Sequence, residues 1–168
     1  DHRPSADDLY LLIFTSGSTG TPKAVRVSQG RAARAAQRVF FGPDDVLYCA
    51  MPLFHGNSLN STVFPAFASG AALALRRRFS ASQFLPDVRA VGATFVSTVG
   101  RAIAHLLATP PTDHDRDHSL SFVLGPETSE PDKAAFVARF GVPLFEGYGS
   151  SENAIVLLPA PRARSGAP

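Results

Sequence analysis

Leu12-Ile13-Phe14-Thr15-Ser16-Gly17-Ser18-Thr19-Gly20-Thr21-Pro22-Lys23 is the stretch on which the reading of this chain turns. The apolar run Leu9 to Phe14 reads as a buried strand. It opens into nine positions, Thr15 to Lys23, that hold five hydroxyl residues, two glycines and a lysine. Glycines let the backbone turn sharply and approach an anion with its N–H groups pointing inward. Hydroxyls add donors that rotate to suit, and Lys23 adds a point charge. The segment therefore reads as a cradle for a nucleotide's phosphates. The Walker A loop does not fit: Pro22 stands where that motif needs glycine and Ala24 where it needs Ser or Thr. The following Ala24-Val25-Arg26-Val27 alternates like a strand, where a Walker A loop would start a helix.

Working outward, the chain alternates between extended and helical patterns. Gln29 to Phe40 reads as a helix, Val46 to Met51 as a strand, Asn57 to Ala68 as a helix and Ala71 to Leu75 as a short strand. Ser80 is a candidate N-cap for a helix reaching about Ala90 despite Pro86. Strand Ala93 to Val99, helix Ile103 to Ala108 and a Pro/Asp/His loop from Thr109 to Ser119 follow. Strand Leu120 to Leu124, helix Pro131 to Phe140 and strands Val142 to Phe145 and Ala154 to Leu158 complete the pattern. Strands separated by helices predict an α/β fold with a mainly parallel sheet and flanking helices, its ligands beyond the strand ends.

Composition narrows the function classes. Apolar residues make up 45% of the 168 positions and charged ones 18%, a globular balance with material for one core. The net charge is only +2, from 14 Arg and 2 Lys that are scattered and not interleaved with aromatics, so nucleic acid is not an expected partner. The longest apolar stretch, Ser58 to Leu75, is broken by Asn60, Pro65 and Gly70 and is too irregular for a transmembrane helix. One cysteine, Cys49, lies in an apolar run; it reads as a buried hydrophobe, and the lack of an internal disulfide fits a cytoplasmic location.

Two further segments follow the glycine- and hydroxyl-rich loop: Met51-Pro52-Leu53-Phe54-His55-Gly56-Asn57 and Phe145-Glu146-Gly147-Tyr148-Gly149-Ser150-Ser151-Glu152. Thr15 to Lys23 resembles the AMP-binding signature of the adenylate-forming superfamily, and the other two resemble that family's second core motif and its Tyr-Gly-x-Thr-Glu motif, in family order. The chain is most similar to acyl-CoA synthetases and fatty-acid–CoA ligases. The resemblance implies that Thr15, Ser16, Gly17, Ser18, Thr19, Gly20 and Lys23 hold the β- and γ-phosphates of ATP. It implies that Tyr148 packs on adenine beside Gly149, that the Ser151 hydroxyl reaches the α-phosphate, and that Glu152 binds Mg²⁺. Gly125 and Pro126, in a strand-to-helix junction, would lie along the adenine edge, where Glu127 and Thr128 depart from the small residues usual there. His55 and Gly56 would wall the acyl or pantetheine channel, although His55 also reads simply as a helix-opening residue bonded to backbone.

The implied reaction joins a carboxylic acid to CoA through an acyl-adenylate, with a fatty-acid-like acid favoured. Amino-acid-activating relatives place Asp where His55 stands, and a neutral imidazole is a poor partner for a buried ammonium. Two alternatives stay open: an amino-acid-activating adenylation domain, and a degenerate module that binds nucleotide without catalysis. Residues 1–168 are read as an incomplete piece of the family's large N-terminal domain without its C-terminal domain, carrying motifs at 15–23, 51–57 and 148–152. As a piece, the chain is expected not to turn over alone and to self-associate through uncovered apolar faces. Asp113 to His118, with ligand-type residues at alternate positions, reads as a solvated loop, and Arg76-Arg77-Arg78 as a solvated strand edge.

Overall fold

A computed structural model describes residues 3–15, 20–36 and 41–147. Ser16 to Thr19, positions 37–40, Tyr148, Gly149, Ser151, Glu152 and the expected strand Ala154 to Leu158 lie outside the described residues. A hairpin comes first, with β1 (Leu9–Thr15) antiparallel to β2 (Lys23–Ser28), followed by α1 (Gln29–Ala36). The main body then runs β3 (Val46–Cys49), α2 (Gly56–Ser58), a π-helical turn (Leu59–Val63), α3 (Phe64–Ser69) and β4 (Ala72–Leu75). It continues through α4 (Ala81–Val91), β5 (Phe95–Ser97), α5 (Gly100–Leu107), β6 (Phe122–Leu124), α6 (Glu130–Phe140) and β7 (Leu144–Phe145).

The five strands β3 to β7 form one parallel sheet in the order β4-β3-β5-β6-β7. From β3 the chain moves outward to β4, then crosses back and proceeds through β5, β6 and β7 in the other direction. Right-handed crossovers place helices that advance in opposite directions on opposite faces. Accordingly Tyr48, Val96, Val123 and Leu144 meet Phe84 and Val88 of α4, Ile103 and Leu106 of α5, and Phe136 and Phe140 of α6. On the other face Leu47, Phe95 and Leu124 meet Ala66 of α3. The hairpin joins that second face, packing Ile13 and Val27 against Ala32, Ala35, Val63 and Phe64.

Local chemistry sets the boundaries. Gly92 (φ 62°) and Gly141 (φ 70°) end α4 and α6 in the left-handed conformation that only glycine adopts without steric penalty. Ser129 caps α6 by accepting from the Asp132 N–H at 3.2 Å, whereas Ser80 precedes α4 without a side-chain cap and faces Ser82 at 3.3 Å instead. Helix α5 starts at Gly100, earlier than its apolar pattern suggests, and β5 (Phe95–Ser97) is shorter than its apolar run. The outward face of β1 leaves Tyr10, Leu12 and Phe14 exposed, Phe14 to 70%.

The loop from Thr109 to Ser119 is exposed along most of its length, as expected of a solvated segment, but it is anchored at one buried residue. Asp115 is buried and accepts from Arg139 Nε at 2.6 Å and from the Thr112 hydroxyl at 2.8 Å. Arg139 also donates to the carbonyls of Leu106, Leu107, Thr109 and Pro110, tying off the end of α5. Arg116 and His118 bond the last carbonyls of α6 in the same way. The loop is thus a bolt that fixes two helix ends: Asp115 and His118 are engaged inward, while Asp113, His114 and Asp117 stay exposed. Among the described residues there is no group of His, Cys, Asp or Glu suited to hold a metal ion, nor a helix long and apolar enough to cross a membrane.

Burial pushes the Asp115 carboxyl up, but the bonds from Arg139 and Thr112 and the guanidinium charge together hold it below its ordinary value of 3.8. A depressed folded pKa gives stability that is full above the unfolded value and is lost as pH falls through the lower folded one. Arg139→Met is expected to destabilise by about 3–5 kcal/mol at neutral pH by stranding a buried carboxylate. The deficit should shrink on acidification, as Asp115 becomes protonated. Urea unfolding of both forms between neutral and strongly acidic pH checks this, and a deficit independent of pH would contradict it.

Candidate functional site

In a doubly wound sheet the ligand crevice lies beyond the carboxyl ends of the strands, where the winding reverses. Here that point falls between β3 and β5. The residues leaving the strands at this edge are Met51 to Asn57 after β3, Thr98 to Gly100 after β5, Gly125 to Thr128 after β6, and Glu146-Gly147 after β7. The structure therefore brings the second core motif, Gly125 and Pro126, and the start of the third motif to one edge of one sheet.

After β3 the chain makes a tight turn knotted by Ser58, whose hydroxyl is shared between the carbonyls of Pro52 (2.5 Å) and His55 (2.7 Å). His55 is the N-cap of α2: its Nδ1 accepts from the Asn57 N–H at 3.3 Å, and the side chain is otherwise exposed. The backbone-bonded reading of His55 thus holds. Gly56 is buried beneath this turn. Phe54, 80% exposed, and Leu53, 47% exposed, add apolar surface to the same segment.

After β6, Thr98 N–H donates to the Leu124 carbonyl and Gly100 N–H to that of Pro126, both at 2.8 Å, so the junctions after β5 and β6 are stitched together. The Gly125 N–H bonds the Phe145 carbonyl at 2.9 Å, extending the contact to β7. Thr128, which departs from the family's small residues, is buried with its hydroxyl donating to the Gly125 carbonyl at 2.6 Å; it closes the turn. Glu127 sits at φ 62°, a left-handed conformation that costs a non-glycine residue roughly 1–2 kcal/mol. A Cβ on Gly100 would collide with the Glu127 carbonyl, so glycine is required there by close approach.

The glycine- and hydroxyl-rich loop springs from the hairpin, where Thr15 and Lys23 face each other across the strands. Gly20 adopts φ 79° within it, and Lys23 is exposed. Ser16, Gly17, Ser18 and Thr19 of this loop, with Tyr148, Gly149, Ser151 and Glu152, lie outside the described residues.

Titratable groups in the strands near this edge are inert. Burial, followed by the Asp87 charge, pushes the Tyr48 phenol up to about 12, and it donates to Asp87 at 3.2 Å. Asp87 in turn pairs with Arg76 at 2.6 Å, and Arg76, Arg77 and Arg78 are all exposed, as expected of a strand edge. Burial also raises the Cys49 thiol, which argues against a nucleophile.

The model of the "AMP-binding enzyme" family matches residues 1–167. The chain belongs to the AMP-binding enzyme family. Among its relatives in that family is a steroid-22-oyl-CoA synthetase of Rhodococcus jostii, 55% identical over 166 residues, covering 96% of this chain and 30% of the relative. The medium/long-chain-fatty-acid–CoA ligase FadD17 of Mycobacterium tuberculosis is 45% identical over 159 residues, covering 91% of this chain and 32% of the relative. The O-succinylbenzoate–CoA synthetase of Bacillus subtilis, solved with AMP, superposes with a TM-score of 0.77 at 26% identity, over 91% of this chain and 40% of that one. The chain spans about a third of the length of the curated relatives it matches.

Within this family member, Ser97, Thr98 and Gly100 join the carboxyl edge without having been singled out from sequence, and Asn57 enters from sequence only as the last residue of its motif. Asn57 and Thr98 are 41 positions apart, and no local pattern links them. Two stability predictions follow from the edge. Gly100→Ala is expected to cost at least about 2 kcal/mol, since the clash is with backbone that cannot move aside. Thr62 is fully buried, and its hydroxyl has no partner among the described residues, so Thr62→Val should leave Tm unchanged or raise it. Thermal unfolding tests both: a neutral Gly100→Ala or a clearly destabilised Thr62→Val would show that the edge is packed otherwise.

Proposed function

We propose that this chain supplies the nucleotide- and acid-binding part of an AMP-forming carboxylic-acid:CoA ligase. The reading rests above all on one convergence: segments 51–57, 125–126 and 146–147 leave one parallel sheet at the same edge. Its relatives supply the reaction class, being named as CoA synthetases and ligases. In this reading the carboxylate of the acid attacks the α-phosphorus of ATP, the bond to pyrophosphate breaks, and an acyl-adenylate forms. The thiol of CoA then attacks the acyl carbonyl, AMP departs with the bonding pair, and the thiol proton passes to solvent.

The protein's part is positioning and charge neutralisation, with no covalent nucleophile of its own. Thr15, Ser16, Gly17, Ser18, Thr19, Gly20 and Lys23 would hold the β- and γ-phosphates, with the Thr15–Lys23 cross-strand pair fixing the base of the loop. Gly125 and Pro126, stitched to the β5 junction, would form the adenine edge with Tyr148 and Gly149, and Ser151 would reach the α-phosphate. Mg²⁺, a hard ion suited to carboxylate oxygen, would be held by Glu152 and would offset phosphate charge. His55 and Gly56 would wall the channel for the acid and the CoA thiol. The steroid and medium- to long-chain acids in the relatives' names, with the exposed Leu53 and Phe54, favour a bulky apolar acid without an α-ammonium.

The test is acid-dependent pyrophosphate–ATP exchange and AMP release by the gene's full product, beside the 168-residue chain alone. Steroid acids and medium- or long-chain fatty acids should support turnover, and amino acids should not. Glu152→Gln should lower exchange by about a hundredfold or more. Exchange driven by amino acids, or unaffected by Glu152→Gln, would overturn the reading.

A further inference from the structure

The half-buried Asn57 side chain joins elements that no other side chain at the crevice joins among the described residues. Its Nδ2 donates to the Thr98 carbonyl at 3.2 Å and lies 3.6 Å from Met51 Sδ. Its Oδ1 accepts from the Ser97 hydroxyl at 3.2 Å and the Ser61 hydroxyl at 2.8 Å. Two of these bonds cross from the helix that follows β3 to the last residues of β5, across the point where the winding reverses. A third ties the amide to the π-helical turn; such turns are rare and concentrate at functional sites. On the backbone side, the Asn57 N–H is the donor that holds His55 Nδ1.

A polar side chain with this many partners at the seam of a parallel sheet is not needed to close a core. An apolar residue would bury there without requiring Ser61 and Ser97 as donors. What the amide adds is register: it fixes the turn Phe54-His55-Gly56 relative to Thr98 and Gly100, the two sides of the crevice between β3 and β5.

We propose that Asn57 is a positioning residue for the acid-binding side of the site, holding the His55 wall at a set distance from the end of β5. This rests on the ligase reading above. A loosened wall would weaken capture of the acid while leaving the ATP side, built on the hairpin loop and the β6 and β7 junctions, in place. Misplacement of this kind costs an enzyme far more than the bond lost.

The experiment is steady-state kinetics of the gene's full product with Asn57→Ala, Asn57→Asp and Ser97→Ala, varying acid and ATP separately, with Tm measured for each. Asn57→Ala should raise KM for the acid by about tenfold or more, with KM for ATP within about twofold. Asn57→Asp keeps the acceptor for Ser97 but sets a carboxylate oxygen against the Thr98 carbonyl where Nδ2 donated, so it should raise KM for the acid at least as much as Asn57→Ala. Ser97→Ala removes one crossing bond, is the mildest change, and carries the test if the Asn57 variants do not fold. A shift in KM for the acid alone, even a few-fold, is the expected result for it. A fall in kcat with both KM values unchanged, equal shifts in both, or no shift in Ser97→Ala would overturn the assignment. Wild type lacking acid-dependent exchange would instead bring down the ligase reading, and this inference with it.

Discussion

Everything in this structure is arranged around β3, a strand buried on both faces. Leu47 points to one face and Tyr48 to the other, and each is almost wholly removed from water. Burial of such side chains contributes roughly 1.5–3 kcal/mol apiece, so neither face can be left bare. The chain covers one face by moving outward through α2, the π-helical turn and α3 to β4. It covers the other by crossing back through α4 and building outward from β5. Two faces, two directions and one handedness of crossover leave a crevice at the carboxyl ends of β3 and β5. The site is therefore a consequence of how the core closes.

Much of this was legible in the residues because it is local. The apolar run Val46 to Cys49 is a strand buried on both faces, whereas the run Leu9 to Phe14, which reads as buried, is a hairpin strand with one face exposed; the loop Thr15 to Lys23 joins two extended segments that do pair, with Thr15 opposite Lys23. What escaped is what depends on partners far along the chain. Asp115 and Arg139 are 24 positions apart, and only the fold shows that each exists for the other; read alone, the Asp/His-rich loop resembles solvated surface. The start of α5 at Gly100 escaped for a related reason. Glycine is a poor helix former, and its presence there answers to the Glu127 carbonyl, 27 positions away. The left-handed Glu127 and the π-helical turn at Leu59 to Val63 have no local signature at all.

The two ends of the sheet are built from different interactions, and the difference bears on function. At the amino end, charge-assisted bonds dominate: Arg139 to Asp115, Arg116 to the Ala138 carbonyl near the end of α6, Arg89 to the loop carbonyls of His114 and Asp117. Such bonds are short and roughly twice as strong as neutral ones, and losing a partner strands a charge. At the carboxyl end the stretch from β3 to β6 is held by neutral bonds among amides and hydroxyls, with a strained Glu127 among them, and the Arg76–Asp87 ion pair lies to the side, past β4.

Neutral bonds of about 1 kcal/mol each can be exchanged for bonds to a ligand at little net cost, whereas a buried ion pair cannot. Strain stored in one backbone residue can likewise persist only where neighbours over-determine it, as the stitching of Gly100 to Pro126 and Thr98 to Leu124 does here. A fold that bolts one end with charges and leaves the other in small, neutral increments has a rigid base and an adjustable rim. That division suits the ligase reading proposed above, in which the site would hold first a nucleotide and an acid and then a thiol. The same helices and strands that bury β3 carry both ends, so adjustment at the rim need not be transmitted to the core.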